Sequence, residues 1–134
     1  MNYLYFIVLL VALLNSTFAK DRDLTPAEYE RVCKGAVSAI LSPPIDTIRV
    51  TKKEGEVLFL IYTRKSDGKV WNYKCKLVDR TVIWGAADGR WRTDPKDEKI
   101  TFFVDRSRGT FTIRQAFGDG SSDVTEFPLL SAKP

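Results

Sequence analysis

Histidine is absent from all 134 residues. Its absence excludes Ser-His-Asp and Cys-His nucleophilic catalysis, the common zinc sites and the usual proton shuttle near neutral pH. Cysteine is limited to Cys33 and Cys75. They lack the Cys-x-x-Cys spacing of redox catalysts, and two cysteines allow one pairing, so the expectation is a single structural disulfide formed in an oxidising compartment. Neither Gly-x-x-x-x-Gly-Lys-Ser/Thr nor Gly-x-Gly-x-x-Gly after a strand occurs, so the usual phosphate cradles are missing and no cofactor is expected. Internal repeats, heptads and low-complexity tracts are lacking as well.

Charge is missing from one end of the chain. Met1 to Ala19 carry no Lys, Arg, Asp or Glu, and every charged residue lies from Lys20 onward. The apolar run from Leu4 to Leu14, about 11 residues, fits a signal-peptide core and falls short of the ~20 that span a bilayer. Thr17 and Ala19 are small residues at the third and first positions before a cut at Lys20. The reading is a leader over residues 1–19 and one globular domain over 20–134, delivered to the periplasm or secreted, with no stable membrane anchor after cleavage. Asn2 and Tyr3 supply no positive charge to the leader, so an uncleaved anchor is the alternative. The remaining chain of about 115 residues suits one domain. With 21 basic against 17 acidic residues the net charge is +4, and acidic residues interrupt every basic patch, so no nucleic-acid partner is expected.

The pattern from Thr25 onward predicts an α+β domain: one N-terminal helix packed on an antiparallel β-meander of about seven strands, with closure into a partial barrel left open. Thr25-Pro26-Ala27-Glu28 carries a capping box with proline at the first helical position. Tyr29, Val32, Cys33, Ala36, Val37 and Ile40 then recur at helical spacing until Pro43-Pro44 ends a helix of about 16 residues. From Thr47 the period becomes two, with a turn at Lys53-Glu54-Gly55, and further strands are predicted at 57–63, 69–78, 81–84, 100–104, 110–117 and 123–127. Lys65-Ser66-Asp67-Gly68 marks one hairpin. Trp71, Tyr73, Cys75 and Leu77 share one strand face, with Val70, Asn72, Lys74 and Lys76 on the other, so the disulfide must join the helix's apolar stripe to the inner face of a central strand.

Four clusters invite a functional reading. Asp88-Gly89-Arg90-Trp91-Arg92, on what reads as the longest loop, places an indole between two guanidinium groups, a combination suited to a sugar or a protein interface. Strand alternation explains the same residues if Trp91 turns into the core and both arginines are solvated. Asp88, Asp94, Asp97 and Glu98 could supply paired carboxylates for glycan hydrolysis, or form a solvated, salt-bridged loop. Asp119-Gly120-Ser121-Ser122-Asp123 begins like a calcium loop, but positions six and twelve are Val124 and Leu130, and a hairpin turn accounts for it, so no metal is expected. Tyr62, Trp71 and Tyr73 could line a groove beside Lys74 and Lys76, or simply form core.

Cys33, Trp71, Cys75, Gly89-Arg90-Trp91-Arg92, Asp97-Glu98-Lys99-Ile100 and Gly118-Asp119-Gly120-Ser121-Ser122 together resemble a family of small exported bacterial proteins of unassigned activity. The resemblance implies a Gram-negative periplasmic setting and a shared fold, and it transfers no catalytic or binding residue. The expectation is a non-enzymatic periplasmic or secreted binding module, an inhibitor or an accessory of an envelope complex, contacting another envelope or extracellular protein through Asp88, Arg90, Trp91 and Arg92. A carboxylate-dependent cell-wall glycan hydrolase and a small-ligand carrier are the alternatives.

Overall fold

The computed structural model describes Leu24 to Leu130; the expected leader, its cleavage point and residues 131–134 lie outside the described residues. The helix α1 (Pro26–Leu41) begins as its sequence requires. The Thr25 hydroxyl accepts from the Glu28 amide at 3.1 Å, and the Glu28 carboxylate accepts from the Thr25 amide at 2.9 Å, so two orphan donors are satisfied reciprocally. Glu28 does more than cap. Its buried carboxylate also receives Arg106 at 2.8 and 3.2 Å, tying the first helical turn to a distant hairpin. That guanidinium holds the Glu28 pKa below the usual carboxylate range, against the upward push of burial. At the other end, Ser42 takes a left-handed backbone (φ 75°) and donates its amide to the Ser38 carbonyl at 2.9 Å, closing the helix before the two prolines.

Seven strands follow in meander order, each antiparallel to the next: β1 (Arg49–Glu54), β2 (Val57–Thr63), β3 (Val70–Val78), β4 (Thr81–Ala86), β5 (Lys99–Asp105), β6 (Thr110–Ala116) and β7 (Ser122–Pro128). Two details depart from simple alternation. Ile45–Thr47 form a 3-10 turn, because after the prolines the Thr47 amide finds the Pro44 carbonyl at 3.0 Å, so the first strand starts at Arg49 instead of Thr47. A bulge between Val50 and Lys52 then shifts the register, and pairing runs through Glu54 where a turn was expected.

The sheet is open, not a barrel, with β1 and β7 as its edges. Buried Arg31 serves both flanks: its Nε donates to the Pro128 carbonyl at the end of β7 and its Nη1 to Asp46, just before β1.

One face of the sheet packs on α1. Val32, Cys33, Ala36 and Val37 are fully buried, as are Leu60, Cys75, Phe111 and Ile113. Burial of each such aliphatic or aromatic side chain contributes about 1.5–3 kcal/mol. The Cys33–Cys75 disulfide fastens the helix to β3 in the middle of this layer, with Cα atoms 5.9 Å apart. Gly35 lets the helix sit close: a Cβ there would overlap the Phe111 ring. The Tyr29 hydroxyl accepts from the Leu77 amide at 2.9 Å and donates to the Glu56 carbonyl at 2.6 Å, pinning the helix start over β2 and β3.

Candidate binding surface

Among the described residues no helix lies over the opposite face, and alternation decides what it shows. Register aligns Lys52, Phe59, Lys74 and Gly85 in one row across β1 to β4, and Val78, Thr81, Thr101, Arg114 and Val124 in another across β3 to β7. Four large apolar side chains on strands are exposed, Val70, Val78, Phe103 and Val124, and all four lie on this face. Six strand cations stand beside them, Arg49, Lys52, Lys74, Lys76, Lys99 and Arg114, and Arg80 reaches over from the β3–β4 turn, its guanidinium 5.9 Å from the Phe103 ring. The strands place three carboxylates on this face, and each is engaged. Glu54 pairs with Lys52, Glu126 with Arg108, and Asp105 accepts from Ser107 and the Arg108 amide. Among the described residues Lys74, Lys76, Arg80 and Arg114 form no ion pair.

The β4–β5 connection brings the Trp91 cluster onto this face. β4 and β5 pair only at Thr81–Thr101 and Val82–Ile100. Beyond Val82 they part, and residues 87–98 fill the gap, the Arg92 amide donating to the Trp84 carbonyl at 2.9 Å in place of a strand neighbour. The loop crosses β4 at Gly85, where a Cβ would collide with the Arg90 carbonyl. Half-buried Trp91 then lies against β3, with the ammonium groups of Lys74 and Lys76 each 4.5 Å from its ring centroid. Lys74 also donates to the Gly89 carbonyl at 2.7 Å.

Asp97 locks this arrangement. Its carboxylate, 7% exposed, accepts both terminal nitrogens of Arg90 at 2.8 and 3.0 Å, stands 3.2 Å from Arg92, and accepts the Asp94 amide at 3.0 Å. Hydrogen bonding to Arg90 brings its pKa down to about 2, and the same pairing raises that of Arg90. Arg92 reaches Glu98 at 3.4 Å and lays its guanidinium 5.2 Å from the Trp84 ring. Asp88 is exposed at the start of the loop.

Of the residues singled out in sequence, Arg90, Trp91, Arg92, Asp97 and Glu98 come together. Trp91 turns neither into the core under the helix nor free into solvent; half-buried, it lies against the ammonium groups of two lysines. The arginines are not simply solvated, since both are engaged by Asp97. Tyr62, Trp71 and Tyr73 do not share a site with Lys74 and Lys76, because strand alternation sends the aromatics to the helix side. There Trp71 is flanked by Lys69 and Arg64, at 4.3 and 5.7 Å, and Tyr73 packs near Trp84. Asp119 accepts from the Ser121 amide and hydroxyl in a turn. Sequence reasoning missed Lys74 and Lys76 as partners of Trp91, and it missed Phe103 and Val124. The signal available was their excess of apolar and basic character on a strand face that should be polar.

No protein-family model, no curated protein and no solved structure matches this chain.

Proposed function

We propose that this chain is a non-enzymatic binding module of the periplasm or extracellular space, an inhibitor or envelope-complex accessory, that meets its partner with the uncovered sheet face around Trp91. One observation carries the reading: an indole lies against two ammonium groups that form no ion pair among the described residues, on a loop fixed in place by Asp97. Large aromatic side chains on rigid supports, ringed by charge, are the usual centre of a protein interface. The disulfide is compatible with an oxidising compartment, and no helix among the described residues is long and apolar enough to cross a membrane.

Asp97, the most enclosed carboxylate of the loop, favours this reading over hydrolysis. A general acid for glycan cleavage needs a raised pKa, and Asp97 is moved the other way by its arginines. A pull-down from the native host with wild type and Trp91→Ala tests the proposal. Wild type should retain at least one extracytoplasmic protein that the variant loses; identical partner lists would defeat it.

A further inference from the structure

On the β5–β7 half of the same face, Phe103 and Val124 are 53% and 64% exposed. Between them runs an open groove of about 330 Å³ whose floor is Thr101 and Thr112 and whose charged walls are Arg80 and Arg114. Register explains the geometry: Phe103 on β5 and Val124 on β7 are separated by β6, where Thr112 and Arg114 point to the same side. Small threonines leave a trough, and the bulkier neighbours form its banks. Neither guanidinium forms an ion pair among the described residues, and Glu126, on the same face of β7, is engaged by Arg108 at 3.2 Å.

We propose that this groove is a docking site for an acidic segment of a partner protein: an apolar side chain of the partner enters between Phe103 and Val124, and carboxylates flanking it in sequence pair with Arg80 and Arg114. The inference rests on the binding-module reading but not on Trp91. Three features commit it to a protein. First, exposed apolar side chains between unpaired cations ask for a ligand that alternates apolar and anionic groups, which an acidic peptide does and a uniformly charged glycan does not. Second, the β5–β7 half fits a short segment. Three strands about 4.8 Å apart and seven residues long, at about 3.3 Å per residue, present roughly 200–350 Å², the footprint of a few side chains and well below what a folded partner contributes. Third, the Phe59 and Trp91 rings carry lysine ammonium groups, and Phe103, half exposed with Arg80 5.9 Å from its centroid, is a single open ring that can take one apolar side chain but offers no run of platforms for stacked bases. Arginine suits the role, because its fork takes a carboxylate in two parallel hydrogen bonds.

The test selects binders from a random twelve-residue peptide library displayed on phage, using the oxidised full domain as bait. Enriched sequences should carry Leu, Ile, Phe or Met flanked within two residues by Asp or Glu. A synthetic peptide of that sequence should shift the amide resonances of Thr101, Thr112, Arg114 and Val124. Its affinity should fall at least tenfold in Arg80→Ser/Arg114→Ser and in Phe103→Ser, surface changes that leave the core untouched, and should weaken with added salt. Enrichment of neutral or basic peptides, or affinity unchanged in both variants, overturns the proposal. So does tighter binding of a single-stranded oligonucleotide or a sulfated glycan to the same residues. If the selected peptides shift only the Trp91 indole and the Lys74 and Lys76 resonances, the groove assignment fails while the reading of the Trp91 surface stands.

Discussion

On the helix side of this sheet, Leu60, Phe111 and Ile113 have lost all contact with water and a disulfide passes through the layer; on the other side, Phe103 and Val124 stand exposed beside Arg80 and Arg114, which form no ion pair among the described residues. Both faces come from the same alternation of residues along the same strands. They differ in what covers them, and so in what a substitution can disturb. The helix side is filled, so a change there must leave a cavity or force a clash. On the open side the exposed side chains fill no cavity among the described residues, so they can be exchanged with little effect on folding.

The disulfide gives the largest expected difference. In the chain-entropy model a link across 42 residues removes about 4 kcal/mol worth of freedom from the unfolded chain. Cys33→Ala/Cys75→Ala should lower the stability measured by denaturant titration by about that amount. Phe103→Ser, on the open face, should stay within about 0.5 kcal/mol. Equal losses from the two would abolish the distinction between a structural and an available face. Next comes Gly35→Ala. A methyl group there runs into the Phe111 ring, with the Phe127 ring stacked on it and only 3.3 Å from the new carbon, so the helix must lift or the ring must leave its rotamer. Overpacking of this kind costs about 1–3 kcal/mol, enough to move an unfolding midpoint measurably, although alanine is the better helix former.

The helix side was legible in the sequence nearly to the residue. Thr25 and Glu28 announce the helix start, Pro43-Pro44 its end, and the inward phase of Cys75 follows from the alternation of Trp71, Tyr73 and Leu77. These are local signals, set by neighbours three or four positions apart in a helix and two apart in a strand. The open side was much less legible. Lys74 and Lys76 read as a solvated strand face, and so they are by phase, but a loop 15 residues further along folds back to lay Trp91 on them. That contact depends on β4 and β5 separating after Val82 and on the room above Gly85, neither of which has a periodicity to betray it. The bulge in β1 is of the same kind: it shifts the phase of Lys52 onto the open face without a glycine or proline to mark it.

Gly85 offers a smaller and more local test of how that loop is placed. In Gly85→Ala the new Cβ meets a backbone carbonyl, that of Arg90, and not the tip of a flexible side chain, so the 87–98 segment has to move as a piece. The expected result is faster amide exchange at Arg92, whose hydrogen bond to Trp84 tethers the loop, with the exchange of β2 and β6 amides unchanged. If β2 and β6 exchanged faster as well, the loop would belong to the stability of the whole domain and not to the open face alone.

The smallest expected effect is a response to acid confined to the loop. An Asp97 carboxyl with a pKa of 3.8 in the unfolded chain is held at about 2 by Arg90 in the folded one. A depressed carboxylate contributes stability that is fully present above the unfolded value and is lost as pH falls through the folded value. The lock on Trp91 should therefore persist from neutral pH down to about 3 and release only near 2. Asp67, pinned by Arg64 beside Trp71, titrates in the same window, so total tryptophan fluorescence would mix two events. Labelling with 5-fluorotryptophan separates them, because Trp71, Trp84 and Trp91 each give their own fluorine resonance. The Trp91 signal should move near pH 2 in the wild type, and in Asp97→Asn it should already sit at its displaced position at pH 7 and show no step. A wild-type transition near pH 4 would mean that Arg90 does not hold Asp97, and that the indole rests on its lysines without the clamp that would make the surface rigid enough to recognise a partner.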